Sequence, residues 1–234
     1  MKLRFQITKE KEIRFISHLE YVRTIGRAIR RAKLPAAYSQ GFNPHMKYSL
    51  ASALGVGVVS YAEFVELELT EPMNPLEAAE AFKKALPRGI RVLAVDAVET
   101  NAPALMSVAG GAEYRVTVPW TGDVADAVED FNRADSVYFE KQAPKAKEKV
   151  KRIDVKFYIP EISVVQRETE TELHFHCRIT HNGSMKAVDL LNTLNERYGL
   201  QIPVEKADIE RMDLYRVDEM GNKWPMLDSL YEQG

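Results

Sequence analysis

A single cysteine, Cys177, excludes an internal disulfide framework and fits a reducing compartment. No apolar run reaches the roughly 18 residues that a membrane-crossing helix requires, so no membrane partner is expected. The opening stretch MKLRFQITKEKEIRF alternates charged and apolar residues and offers no signal-peptide core. Together these absences predict a cytoplasmic protein. Also missing are a Walker loop, a dinucleotide fingerprint, a nucleophile elbow and zinc-ligand spacing. The chain is therefore expected to hold no metal and no cofactor.

What is present is an ordinary globular composition, 45% apolar and 28% charged, with enough of both for a packed core and a solvated surface. The net charge of −2 conceals an asymmetry. Residues 1–50 carry eleven Lys/Arg against three Glu, or +8, and the remainder carries twenty-one against thirty-one Asp/Glu, or −10. A basic first segment on an otherwise acidic chain predicts one face for a polyanion or an acidic partner.

Periodicity orders the elements. KLRFQIT (2–8) alternates as a strand, and Ser17 to Lys33 reads as a helix opened by a capping box of Ser17 and Glu20. Its expected buried stripe is Leu19, Val22, Ile25, Ile29 and Ala32, and Pro35 ends it. KYSLASA and AEFVELEL read as strands around a glycine-bearing turn, NPLEAAEAFKKALP as a helix capped by Asn74, and IRVLAVDAVE as a strand. The order β-α-β-β-α-β is that of a ferredoxin-like unit. A second unit follows in AEYRVTVPW, VADAVEDFNRA, DSVYFEKQ, TELHFHCRIT, SMKAVDLLNTLNERYG and EKADIERMDLYRV. A lysine-rich connection, APKAKEKVKR, interrupts it, and IDVKFYIPEISVVQRE has no clear period. The expected fold is α+β: two tandem ferredoxin-like units with antiparallel sheets, one over residues 1–100 and one with an insertion over residues 112–234.

Three groups of residues bear on chemistry. Arg23, Arg27, Arg30 and Arg31 fall on one helix face, where only Glu20 relieves their repulsion locally. Arginine offers bidentate geometry to phosphate and a flat surface for stacking. The loop AYSQGFNPHMKYSLA supplies Tyr38, Phe42 and Tyr48 as candidates to stack on unpaired bases, with His45 and Lys47 for phosphate and Gln40 and Asn43 for base edges. The competing reading places Phe42 and Tyr48 in the core. HFHC puts His174 and His176 on one strand face and Cys177 on the other, the pattern of a surface histidine pair rather than of a metal site. His18 can serve as an acid or base in RNA cleavage, or simply pack.

The segment from Arg14 to Leu69 resembles the bacterial radical SAM-linked protein family, a domain of unknown function. The resemblance rests on SHLE, RAIRRA, LP, YSQGFNPH and the S-x-x-E of Ser60 to Glu63, in the family's order, and more loosely on RIDVKFYI and ERMDLYRV. Glu20 stands where the family more often has Asp, which still permits capping. The resemblance implies a radical SAM protein as partner, encoded beside or fused to such chains, often near ribonuclease and ribosomal-protein genes. This chain lacks the three-cysteine cluster motif of that enzyme and cannot be it.

Three functions are open at this point. The first is a non-catalytic RNA-binding accessory that presents ribosomal or transfer RNA to a radical SAM modification enzyme. The second is a protein–protein adaptor that docks that enzyme through the basic face. The third is a metal-independent endoribonuclease using His18 or His45, on fold analogy alone.

Overall fold

The alternation in KLRFQITK produces strand β1 (Lys2–Lys9) of the first of two units into which the chain divides in its computed structural model. Residues 1–142 and 150–228 are described. Among the described residues, the first unit comprises Met1–Ala109 and 213–228, and the second lies within Gly110–Met212. The fold is mixed α+β with mostly antiparallel pairing and, among the described residues, six α-helices.

In the first unit β1 is followed by α1 (His18–Arg31), β2 (Tyr48–Leu50), β3 (Val58–Glu68), α2 (Pro75–Ala85), β4 (Val92–Val98) and the short α3 (Leu105–Val108). The strands lie in the order β4-β1-β3-β2, each pair antiparallel. Leu3, Phe5 and Ile7 point to one face of β1, opposite Leu67 and Val65 of β3, and form the core with Tyr21, Ile25 and Ile29 of α1 and Phe82 of α2. Burial of each such side chain contributes about 1.5–3 kcal/mol. On the other face Arg4 and its register partner Glu66 form a buried ion pair at 2.9 Å. Removing Glu66 would leave the Arg4 charge uncompensated, at a cost of about 3–5 kcal/mol, whereas removing Arg4 leaves Glu66 with Lys2, whose ammonium lies 3.4 Å away.

Asn74 acts as the sequence predicts, accepting from the backbone N–H of Leu76 and Glu77, with Pro75 in the first turn of α2. At α1 half of the expected capping box forms: Ser17 Oγ accepts from the N–H of Glu20, while the Glu20 carboxylate turns to Arg27 and Arg23. The strand expected over KYSLASA is shorter than its pattern, Tyr48–Leu50, whereas β3 begins at Val58 and takes in VVSY. The reason is pairing: β3 runs along β1 from Ser60 opposite Lys9 to Glu68 opposite Lys2, so it extends as far as its partner does.

The second unit contains most of β5 (Ala109–Val118), then α4 (Ala125–Arg133), β6 (Tyr138–Gln142), β7 (Val150–Asp154), α5 (Val155–Tyr158), β8 (Ile162–Gln166), β9 (Thr171–Arg178), α6 (Ala187–Tyr198) and the start of β10 (Asp208–Val217). Its sheet contains β5-β9-β8. DSVYFEKQ does form a strand, but β6 pairs with β7 in a separate two-stranded sheet. The place beside β9 goes to β8, from the stretch that periodicity does not assign. A side chain fixes that choice: the Asn132 amide donates to the Ile162 carbonyl and accepts from the Ile162 N–H, at 2.8 and 2.9 Å. Asn195 repeats the device on Ile202 beyond α6, at 2.9 and 2.8 Å. Of the lysine-rich connection, residues 143–149 lie outside the described residues. After β10 the chain turns back as β11 (Lys223–Pro225), pairing Pro225 with Tyr215, and this tail belongs with the first unit.

Gly26 sets the distance between α1 and β2. A Cβ there would lie 2.5 Å from the Tyr48 hydroxyl and 2.9 Å from its ring carbon. Gly26→Ala is therefore expected to lower the melting temperature, although alanine is favoured over glycine in a helix interior by about 1 kcal/mol. In a Tyr48→Ala background the same substitution should raise it. Thermal unfolding of the two singles and the double checks this, and additive effects would contradict the contact.

Candidate nucleic-acid interface

The interface begins with how α1 is held. The buried Lys9 ammonium donates to the carbonyls of Arg14 and Ile16, at 2.9 and 3.2 Å, fixing the turn that enters the helix. Tyr21, Ile25, Ala28 and Ile29 are buried, and the Tyr21 hydroxyl donates to the Thr8 carbonyl at 2.8 Å. Arg23, Arg27, Arg30 and Arg31 are all exposed. Glu20 accepts from Arg27 Nη1 at 2.9 Å and lies 3.8 Å from Arg23 Nη1. Exposed pairs of this kind contribute about 0–1 kcal/mol, so a phosphate can displace them. Arg31 has a structural role as well, because its Nε and Nη2 donate to the Ala85 carbonyl in the last turn of α2.

Of the expected stripe, Ile25 and Ile29 are buried, Val22 and Ala32 are half-buried against the core, and one residue lies outside it. Leu19 is 57% exposed, not buried. Tyr21 takes the core position under the first turn, which rotates the buried face away from Leu19. At 100° per residue Leu19 then sits beside Arg30 and Arg23. Phe15, 70% exposed, precedes the helix with the Arg14 guanidinium 4.9 Å from its ring. The arginine face therefore has an apolar end, a feature that hydrophobic periodicity misreads as core.

The loop between α1 and β2 is a clamped hairpin. Tyr38 bridges Met46, the Ser39 N–H donates to the His45 carbonyl, and Lys47 N–H donates to the Ala37 carbonyl. Ala37 and Met46 are buried and anchor the stem. Ser39 Oγ also accepts from the His45 N–H at 3.1 Å and lies 3.1 Å from His45 Nδ1, which is 3.2 Å from the Asn43 carbonyl. Gln40, Gly41, Phe42, Asn43, Pro44 and His45 are exposed, and Phe42 entirely so. Gly41 has φ +117° with open space around it, so its conformation, not a clash, requires glycine. Tyr38 is partly exposed, and Lys47 is engaged with Glu68 at 2.8 Å.

Tyr48 is not available for stacking. Half-buried, it packs against Gly26 and donates its hydroxyl to the Val22 carbonyl at 3.0 Å. Burial raises its pKa, and the nearby Arg30 charge opposes that rise. The residue that closes the loop stem is thus seated on α1 within reach of Arg30. This contact joins the two candidate groups, and no motif in the sequence announces it.

The histidines are placed differently. His18 Nδ1 is buried and has no hydrogen-bond partner among the described residues. His174 Nε2 lies 3.2 Å from Glu172, whose carboxylate is held below the usual range by Arg167 first and by His174. Cys177 lies on the opposite face of β9, and burial pushes its thiol up to about 11. At pH 8 the native thiol is therefore expected to react with a disulfide reagent far more slowly than in denaturant. Its contribution to stability should be lost as pH rises from 9 toward 11, because only the unfolded chain then ionises freely. Rapid labelling of the native protein would contradict this.

Comparison with known proteins gives a bacterial domain of unknown function and does not extend to the radical SAM link. No curated protein matches the chain significantly. Among solved structures, the chain is similar to one in a Cbf5–Nop10–Gar1 complex, at 12% identity over 85% of this chain and 47% of that one, with a TM-score of 0.46. It is also similar to an unknown protein from Galdieria sulphuraria, at 13% identity over 90% of this chain and 97% of that one, with a TM-score of 0.27. A family profile described as an uncharacterized protein conserved in bacteria covers residues 2–188. The chain belongs to that bacterial family, DUF2344.

Proposed function

We propose that this protein is a non-catalytic RNA-binding accessory that holds single-stranded RNA across α1 and the 37–47 loop. The observation that carries this reading is Phe42, wholly exposed at the tip of a hairpin whose stem is hydrogen-bonded and anchored in the core. An aromatic ring presented rigidly to solvent is a stacking platform for an unpaired base. Gln40 and Asn43 flank it as readers of base edges, Tyr38 and His45 line the hairpin, and Arg23, Arg27 and Arg30 meet the backbone phosphates. Lys47 joins them by exchanging Glu68 for phosphate. Tyr48, seated on α1 beside Gly26, supports the reading that loop and helix act as one surface.

The antiparallel order β4-β1-β3-β2 supports reading the first unit as ferredoxin-like, and we read the second as a ferredoxin-like unit with the β6-β7 hairpin inserted. The resemblance of residues 14–69 to the radical SAM-linked family supports a cytoplasmic radical SAM enzyme as the recipient of the RNA. A second reading, an adaptor that docks that enzyme directly, is favoured by exposed Leu19 and Phe15 at the end of the arginine face, since apolar side chains amid arginines suit a protein interface.

Phe42→Ala separates these readings. Stacking contributes about 1–3 kcal/mol per base, so the variant should bind a single-stranded RNA oligonucleotide roughly 5- to 150-fold more weakly. Its melting temperature should be unchanged, because an exposed ring supports no packing. Unchanged RNA affinity would remove the loop from the interface. Leu19→Asp losing a radical SAM partner while RNA binding persists would favour the adaptor.

A further inference from the structure

The second unit carries an arginine–tyrosine groove that the reading above does not use. It is an open groove of about 300 Å³, lined by Ser136, Val137, Tyr138, Arg152, Arg197 and Tyr198. That volume lies at the lower end of the range for small-molecule sites, about 300–1,000 Å³. Three elements build it: the entry to β6, the facing strand β7 and the last turn of α6.

Its two cations are held in different ways. The Arg152 guanidinium carbon lies over the Tyr138 ring, 3.7 Å from its centre, a cation–π contact. Its cross-strand neighbour is Glu140, yet among the described residues no carboxylate forms an ion pair with Arg152. Arg197 donates its Nε to the Tyr138 carbonyl at 3.0 Å, which fixes the guanidinium plane and leaves the terminal amino groups of the fork. Arg197 likewise has no carboxylate partner among the described residues, although its neighbour Glu196 is exposed. On the remaining side Tyr198 is held edge-on against buried Phe131, with ring centres 6.3 Å apart. Its hydroxyl is kept protonated first by burial and then by the negative charge of Asp130.

Two guanidiniums at one groove, neither paired with a carboxylate among the described residues, repel each other in a chain whose charge beyond residue 50 is otherwise acidic. A dianionic group offsets that repulsion, and arginine forks match phosphate oxygens bidentately. The tyrosine hydroxyl and Ser136 add neutral hydrogen-bonding groups, and the Arg152–Tyr138 pair offers a planar face of the kind on which a base lies. We infer that this groove binds a nucleotide: its phosphate between Arg152 and Arg197, and its base along the Arg152–Tyr138 pair. The inference stands independently of the RNA reading of the first unit.

The test is titration of the full chain with adenosine 5′-monophosphate, adenosine and a 5′-phosphorylated oligoadenylate, followed by tyrosine amide and ring resonances. The monophosphate should saturate the groove, and adenosine should bind about tenfold more weakly or worse for want of charge-assisted hydrogen bonds. Arg152→Ala should reduce the affinity by about tenfold with an unchanged melting temperature, and Arg152→Lys should recover only part of it, since the charge returns without the planar fork. Phe42→Ala should leave binding here intact, so failure of this site and of the first-unit interface are distinguishable. Read from the Tyr138 and Tyr198 resonances of the Phe42→Ala variant, oligoadenylate binding more tightly than the monophosphate identifies a polymer end as the source, and equal affinity identifies a free mononucleotide. Absence of saturation by either phosphate, or equal affinity in Arg152→Ala, would overturn the proposal.

Discussion

The contact between Tyr48 and Gly26 is the constraint on which the candidate interface depends. A helix face of arginines and a loop of aromatic and polar side chains are separate features unless something fixes one on the other. The Tyr48 ring fills the space left by the missing side chain at Gly26, and its hydroxyl seats on the Val22 carbonyl. Because β2 also pairs with β3, the end of the loop is tied to the sheet and to α1 at once. The Lys9 ammonium performs the corresponding task at the other end of α1 by holding the entering turn.

Seen this way, the strong elements are spent on rigidity and the weak ones face outward. Buried Leu3, Phe5, Ile25, Ile29 and Phe82 make a core whose loss at any position costs several kcal/mol, about 2–5 for a large-to-alanine change. The exposed Glu20 pairs with Arg23 and Arg27 contribute little to stability and yield readily to a stronger anion. The loop hairpin spends its hydrogen bonds on its own stem, so that Phe42 is presented and not packed. An arrangement of this kind lowers the ordering cost of binding, because the ring and the charges are held in place beforehand.

Much of this was legible in the sequence where local rules govern. The caps at Ser17 and Asn74, the strand alternation and the exposed arginine stripe follow from hydrogen bonding and periodicity within a few residues. What escaped was set by partners distant in sequence. Leu19 fits the apolar period, but Tyr21 occupies the core position it would have taken, and that choice depends on the Thr8 carbonyl thirteen residues back. Tyr48 reads as a stacking candidate until Gly26, twenty-two positions earlier, is known to lie under it. The strand β8 has no clear period because its register is fixed by β9 and by the Asn132 clamp. The groove at Arg152 and Arg197 joins residues forty-five apart, neither part of any local motif.

The central claim is that α1 presents its arginines to RNA phosphates, and salt dependence tests it most directly. For single strands the slope of log affinity against log salt is about −0.7 per neutralised phosphate. Binding of a single-stranded RNA by the native chain should weaken steeply as salt rises. Replacing Arg23, Arg27 and Arg30 together by Gln should make that slope shallower by roughly 2, three contacts at about 0.7 each, while the melting temperature holds. Binding that ignores salt, or a triple variant with the native slope and affinity, would contradict the account.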